Sequence, residues 1–224
     1  MRYARIYSAV FAIGLAVALA PTDEAEADAP RCAWQIDYDV AANLKLTETP
    51  MGEGDGIYRI GPGHLVLRWE DRGGRPGGDV AMLAYSMAEP FTIKSKTLVW
   101  TTTVVTDTKT SATPDACGVV ARGVAEGRTV RWRTPVRGYH TDGTVTCKGS
   151  LCGKFSAPPP GTMDLHIPAH PVWFSPFVFS PDLQTFTMAT THVAKTSMPK
   201  QSAEVALSGR ETRRACVPVA ECAR

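Results

Sequence analysis

The sequence predicts an all-β fold, an antiparallel sandwich or barrel of about 10–12 strands, stapled by disulfides and preceded by an N-terminal signal peptide. Three observations carry this. Apolar residues alternate with period two from Trp34 onward; Gly, Pro, Asp or Asn break the alternation roughly every ten residues; and no stretch keeps helical periodicity. Of 224 residues, 44% are hydrophobic and 21% charged, with 19 Gly and 17 Pro, which excludes disordered, collagen-like and coiled-coil classes.

Residues 1–27 read as an export signal. Arg2 and Arg5 give a positive start, Ile6 to Ala20 form an uncharged apolar stretch, and Ala25-Glu26-Ala27 offers a small-x-small cleavage site. The earlier site, Ala18-Leu19-Ala20, is followed by Pro21, a poor residue just after a cut. The apolar stretch is short for a membrane span, so cleavage after Ala27 is expected and an uncleaved anchor is the alternative. Residues 28–224 then form a single all-β domain with no transmembrane span, exported to a periplasmic or extracellular space. Cleavage leaves 22 basic and 19 acidic residues, a balance too small and dispersed to suggest a nucleic-acid partner.

Along the mature chain, Leu65, Leu67 and Trp69 alternate with His64, Arg68 and Glu70, the pattern of a sheet with one buried face. Val80 to Tyr85 is apolar on both faces and reads as more central. Thr97 to Thr106 is rich in Thr and Val, which favours strand over helix. Val130 and Trp132 alternate with Arg131 and Arg133. Asp142-Gly143, between Tyr139 and Thr146, predicts a two-residue hairpin turn. A second hairpin is expected where Phe177–Ser180 meets Thr185–Met188 across Pro181-Asp182-Leu183-Gln184, because proline presets the first corner. The proline-rich stretch from Pro158 to Pro181 reads as an extended segment crossing between sheets.

All six cysteines, Cys32, Cys117, Cys147, Cys152, Cys216 and Cys222, lie beyond the leader, and export favours their oxidation. Short loops pair Cys147 with Cys152 and Cys216 with Cys222, which leaves Cys32 for Cys117. No cofactor or metal motif is present: neither close pair has the two intervening residues of a zinc knuckle. His166 and His170 have the spacing that binds metal on a helix, but Pro168 and Pro171 forbid that helix. In an extended chain the two lie roughly 13 Å apart, too far to share an ion.

Catalytic signatures are equally thin. There is no G-x-S-x-G elbow, and Ser197-Met-Pro-Lys200 with Lys109-Thr-Ser111 only superficially matches penicillin-recognising enzymes. Asp37 with Asp39 share a strand face, while Glu53 and Asp55 sit in a Gly-rich turn. Arg131 and Arg133 read as a solvated face with Trp132 in the core. What remains is aromatic: Trp173, Phe174, Phe177, Phe179 and Phe186 cluster around the second hairpin, where they build core or line an apolar surface. The sequence therefore points to a non-enzymatic exported domain that binds an apolar small molecule or envelope component at a barrel mouth or between sheets. A structural or surface-interaction protein without ligand and a secreted hydrolase are the alternatives.

Overall fold

Alternating β-branched and aromatic residues build eleven strands among the described residues of this computed structural model. They are β1 (Cys32–Glu48), β2 (Gly56–Asp71), β3 (Pro76–Lys96), β4 (Thr101–Ala112), β5 (Ala121–Glu126), β6 (Thr129–Trp132), β7 (Val136–Gly149), β8 (Gly161–Val172), β9 (Phe177–Phe179), β10 (Thr185–Val193) and β11 (Gln201–Pro218). The described residues are 32–48, 56–96, 101–154, 157–193 and 201–219; the leader, Glu53, Asp55, Ser197, Lys200 and Cys222 lie outside them. Among the described residues no helix is long and apolar enough to cross a membrane.

β1, β2, β3, β5, β6, β9, β10 and β11 pair antiparallel in that order, and β11 returns to β1. This is a closed eight-stranded barrel with three added strands. β3 makes the addition possible because it changes neighbour along its length, pairing β5 through Asp79–Met82 and β4 through Ser86–Lys96. β7 and then β8 continue outward from β4.

The β2–β3 ladder runs from Asp71 opposite Pro76 to Gly63 opposite Met87. Beyond that level, among the described residues, β2 pairs only with β1 and β3 only with β4. β10 likewise loses β9 after Thr187 and keeps only β11. The cylinder therefore divides at one end into two four-stranded sheets, β2-β1-β11-β10 and β3-β4-β7-β8.

Its undivided part is filled. Phe177 stacks on Phe186 with ring centroids 4.8 Å apart, Trp69 meets Phe179 edge-on at 5.1 Å, and Tyr38 meets Phe186 edge-on at 5.3 Å. Phe186 faces Gly209 across the β10–β11 ladder, and a Cβ there would overlap the ring at Cε1. The missing side chain is what admits the aromatic stack. Leu65, Leu67, Met82 and Val130 complete a core with no exposure. A barrel of eight strands is narrow enough for side chains to close it in this way.

The far end of the cylinder is tied shut. Tyr38 donates its hydroxyl hydrogen to the Leu183 carbonyl at 2.9 Å, and burial holds that hydroxyl well above the usual tyrosine range. Arg214 donates to both carboxylate oxygens of Glu211, at 3.0 and 2.6 Å, and to the Asp182 carbonyl at 2.7 Å. The β9–β10 turn is thus fixed against β1 and β11 by a bidentate ion pair and a buried phenol.

Several sequence expectations meet the structure directly. The hairpin of Phe177–Ser180 with Thr185–Met188 is present, with Phe179 opposite Phe186, and Cys147 pairs with Cys152. Three expectations are corrected. Cys32 pairs with Cys216 rather than Cys117, which also removes the Cys216–Cys222 pair. The cause is barrel closure: β1 and β11 meet along the seam, Trp34 opposite Cys216, and local spacing carries no trace of a contact 184 residues apart. Cys117 lies in the turn between β4 and β5.

Asp142-Gly143 makes no turn, since β7 runs through it without a break. Gly143 adopts φ +151° against the β4 backbone, where a Cβ would overlap the Asp107 carbonyl oxygen. Glycine serves there for close strand approach. Finally, the proline-rich stretch is mostly a strand: β8 pairs with β7 through one edge and tolerates Pro168 and Pro171 because its other edge carries no ladder among the described residues.

Candidate functional site

Above the fork the two sheets carry apolar inner faces. Side-chain parity is set in the core, where Ile36, Tyr38 and Val40 point inward on β1, and it continues to Leu44 and Leu46. Tyr58 lies opposite Leu44 on β2, and Val205 opposite it on β11. The other sheet continues Met87 with Phe91 and Ile93 on β3; Val104 faces Ile93, and Val145 faces Thr106 beside it. Met163 and Ile167 extend that face on β8.

Apart from Val145, which is buried, these residues differ from the core in exposure rather than in chemistry. Leu44, Leu46, Tyr58, Phe91, Ile93 and Val104 are half-buried. Met163 and Ile167 are 40% and 39% exposed, whereas Leu65 and Phe177 show 0%. Above the fork these apolar side chains keep a partial exposure that the core residues below it have lost. Tyr58 and Phe91 approach each other across the split with ring centroids 5.8 Å apart.

A carboxylate sits at the base of this groove. Glu89 follows Met87 in the inward phase of β3, one step beyond the last β2–β3 pair. Thr110 donates to its Oε1 at 2.9 Å, and the Thr110 and Thr141 hydroxyls share a 2.9 Å bond. Thr106 donates to the Glu89 carbonyl at 3.1 Å. Phe174 packs edge-on against Tyr85 at 5.1 Å and near Tyr139 at 6.3 Å, so aromatic rings wall the cluster toward the core. Burial pushes the Tyr139 hydroxyl up to about 12, and holds Tyr85 higher still.

Burial also raises the Glu89 carboxyl above the usual range, with the Thr110 bond opposing it. A carboxyl raised in the folded state is easier to protonate folded than unfolded, so stability falls as pH rises through its titration. Glu89→Gln keeps an acceptor for Thr110 and removes the charge. It is expected to raise the melting midpoint at pH 7, with the advantage shrinking toward acidic pH, as read by thermal scans across pH.

No protein family, curated protein or solved structure matches this chain.

The five aromatics singled out in the sequence separate. Phe177, Phe179 and Phe186 are 0–2% exposed and pack in the barrel core. Phe174 is half-buried beneath the groove's base, and Trp173 stands 63% exposed on the β8–β9 connection. Trp173→Ala is expected to shift stability by less than about 0.5 kcal/mol, measured by denaturant titration, because so exposed a ring has little packing to lose.

Other constellations serve the sheets. His140 Nδ1 lies 2.9 Å from the Gly138 carbonyl, which only accepts, so Nδ1 donates there, and Nε2 lies 3.0 Å from Ser111 Oγ. This arrangement orients a serine toward a base, but it lies on the outer face of the added sheet and clips β4 to β7. His166 bonds Asp142 at 2.6 Å across β7 and β8, away from His170. Arg131 and Arg133 are exposed and pair with Glu126 and Asp79, with Trp132 packed on Phe177. Asp37 and Asp39 stand opposite Arg213 and Arg210 on the outer wall. Next to Asp39 an open depression of about 520 Å³ is lined by Arg59, Gly61, Pro62, Ser208 and Arg210. Its walls are strand side chains facing solvent rather than groups converging on a point.

Aromatic density and motif spacing do not single out the inner-face residues. Their signal is phase: Leu44 and Leu46 repeat the parity of Ile36 and Tyr38, and Phe91 and Ile93 that of Met87.

Proposed function

We propose that this is an exported, non-enzymatic binding domain that holds an apolar chain or ring system between the two sheets above the fork. The observation that carries this reading is the contrast within one barrel: below the fork the interior is packed solid, and above it apolar side chains of the same phase remain accessible. Such a groove offers apolar burial at about 25 cal/mol per Å² without any rearrangement of the core. The two disulfides among the described residues, one locking the barrel seam and one at the tip of β7, suit an oxidising space outside the cytoplasm.

The test is uptake of an apolar fluorescent probe. Wild type is expected to enhance its emission with saturable binding. Leu46→Glu and Ile93→Glu, at half-buried positions on opposite sheets, are expected to weaken uptake at least tenfold with melting midpoints little changed. An unchanged affinity in both variants would remove the groove as the site.

A further inference from the structure

We infer that Glu89 makes the groove selective for amphiphiles with a cationic head, such as an alkylammonium, over neutral or anionic ones. This rests on the groove reading above and specifies its ligand. The carboxylate stands on an apolar phase, where the chain continues Met87, Glu89, Phe91 and Ile93 along one inward face of β3. A charge in such a place is costly unless it is paired. Its described partner is neutral: the Thr110 hydroxyl on Oε1. None of the ion pairs among the described residues involves Glu89. Lys109, next to Thr110, has the opposite parity and faces out with Asp142.

The base of the groove thus holds one half-buried negative charge, close enough to Tyr85 and Tyr139 to raise their hydroxyls further. An ammonium head seated there supplies the missing counter-charge, and the attached chain runs outward between Leu44, Tyr58, Ile93 and Val104. The net charge of the whole chain is positive, so a preference for cations cannot come from the protein's overall field and reports this carboxylate.

The experiment competes decyltrimethylammonium, decanol and decyl sulfate, each below its micelle concentration, against a neutral fluorescent probe bound to the disulfide-intact protein at pH 7.5. The ammonium is expected to displace the probe at a concentration at least tenfold lower than the other two. In Glu89→Gln that advantage is expected to vanish, with a melting midpoint equal to or higher than that of wild type. The preference is read on wild type first, so it does not depend on how the variant folds. Equal displacement by all three on wild type, or a preference that survives in Glu89→Gln, overturns the assignment to Glu89 and leaves the apolar groove standing. Failure of the probe and all three competitors to bind overturns the groove and with it this inference.

Discussion

Cys32→Ala is expected to lower stability by about 5 kcal/mol, the largest effect expected of a single substitution. The bond spans 184 residues, so in the unfolded chain it closes nearly the whole domain into one loop. In the chain-entropy account a loop of that length is worth roughly 5 kcal/mol, against about 2 kcal/mol for the Cys147–Cys152 loop. Position adds to length. β1 and β11 form the seam that makes the cylinder, and their ladder runs from Cys32 opposite Pro218 to Glu48 opposite Gln201. The disulfide fixes the first rung of that seam, at the same end as the Arg214–Glu211 clamp. Guanidinium titration of wild type, Cys32→Ala and Cys216→Ala measures the loss, which the two variants should share. Peptide mapping without reduction should recover residues 32 and 216 in one linked fragment. A loss below about 1 kcal/mol, or a Cys32–Cys117 fragment, would contradict the pairing.

Phe186→Ala is expected to cost about 3–5 kcal/mol. The ring is 1% exposed and lies within contact range of Tyr38, Phe177 and Phe179, so its loss opens a cavity at the centre of the aromatic stack. Gly209 offers no side chain to refill it. Denaturant titration against Trp173→Ala separates a core aromatic from a surface one only thirteen residues away in sequence. Near-equal losses would show that the filled barrel core is wrongly located.

The difference between those two residues also shows what the sequence can convey. Period-two alternation survives in any sheet that has one buried face, so Leu65-Val-Leu67-Arg-Trp69 announces its strand and its inward face through local residues alone. The β9–β10 hairpin is legible for the same reason, with Pro181 to mark its corner. Closure is not. Whether a run of antiparallel strands ends as a sandwich or a barrel depends on β1 meeting β11, a long-range pairing whose residues carry no local mark. The expected Cys32–Cys117 pair fails for that reason. Asp142-Gly143 fails differently, because glycine is demanded both by tight turns and by close strand approach, and the flanking residues do not say which.

The candidate groove is half legible. The sequence places an apolar surface between sheets or at a barrel mouth but draws it from aromatic density, which marks cores as readily as sites. The sharper signal is Glu89, an acid in the inward phase of an otherwise apolar strand. Its meaning emerges only where β2 and β3 part company after Gly63 and Met87, and that fork depends on β3 exchanging β5 for β4.

Photolabelling with a diazirine-bearing alkyl probe, followed by peptide mapping, tests the groove most directly. The predicted result is label concentrated on peptides carrying Leu44–Leu46 and Phe91–Val104, with none on Phe177–Phe179, and protection by excess unlabelled alkyl competitor. Label confined to the Trp173 connection or the outer depression at Arg59 and Arg210, or scattered without protection, would contradict a ligand held between the sheets.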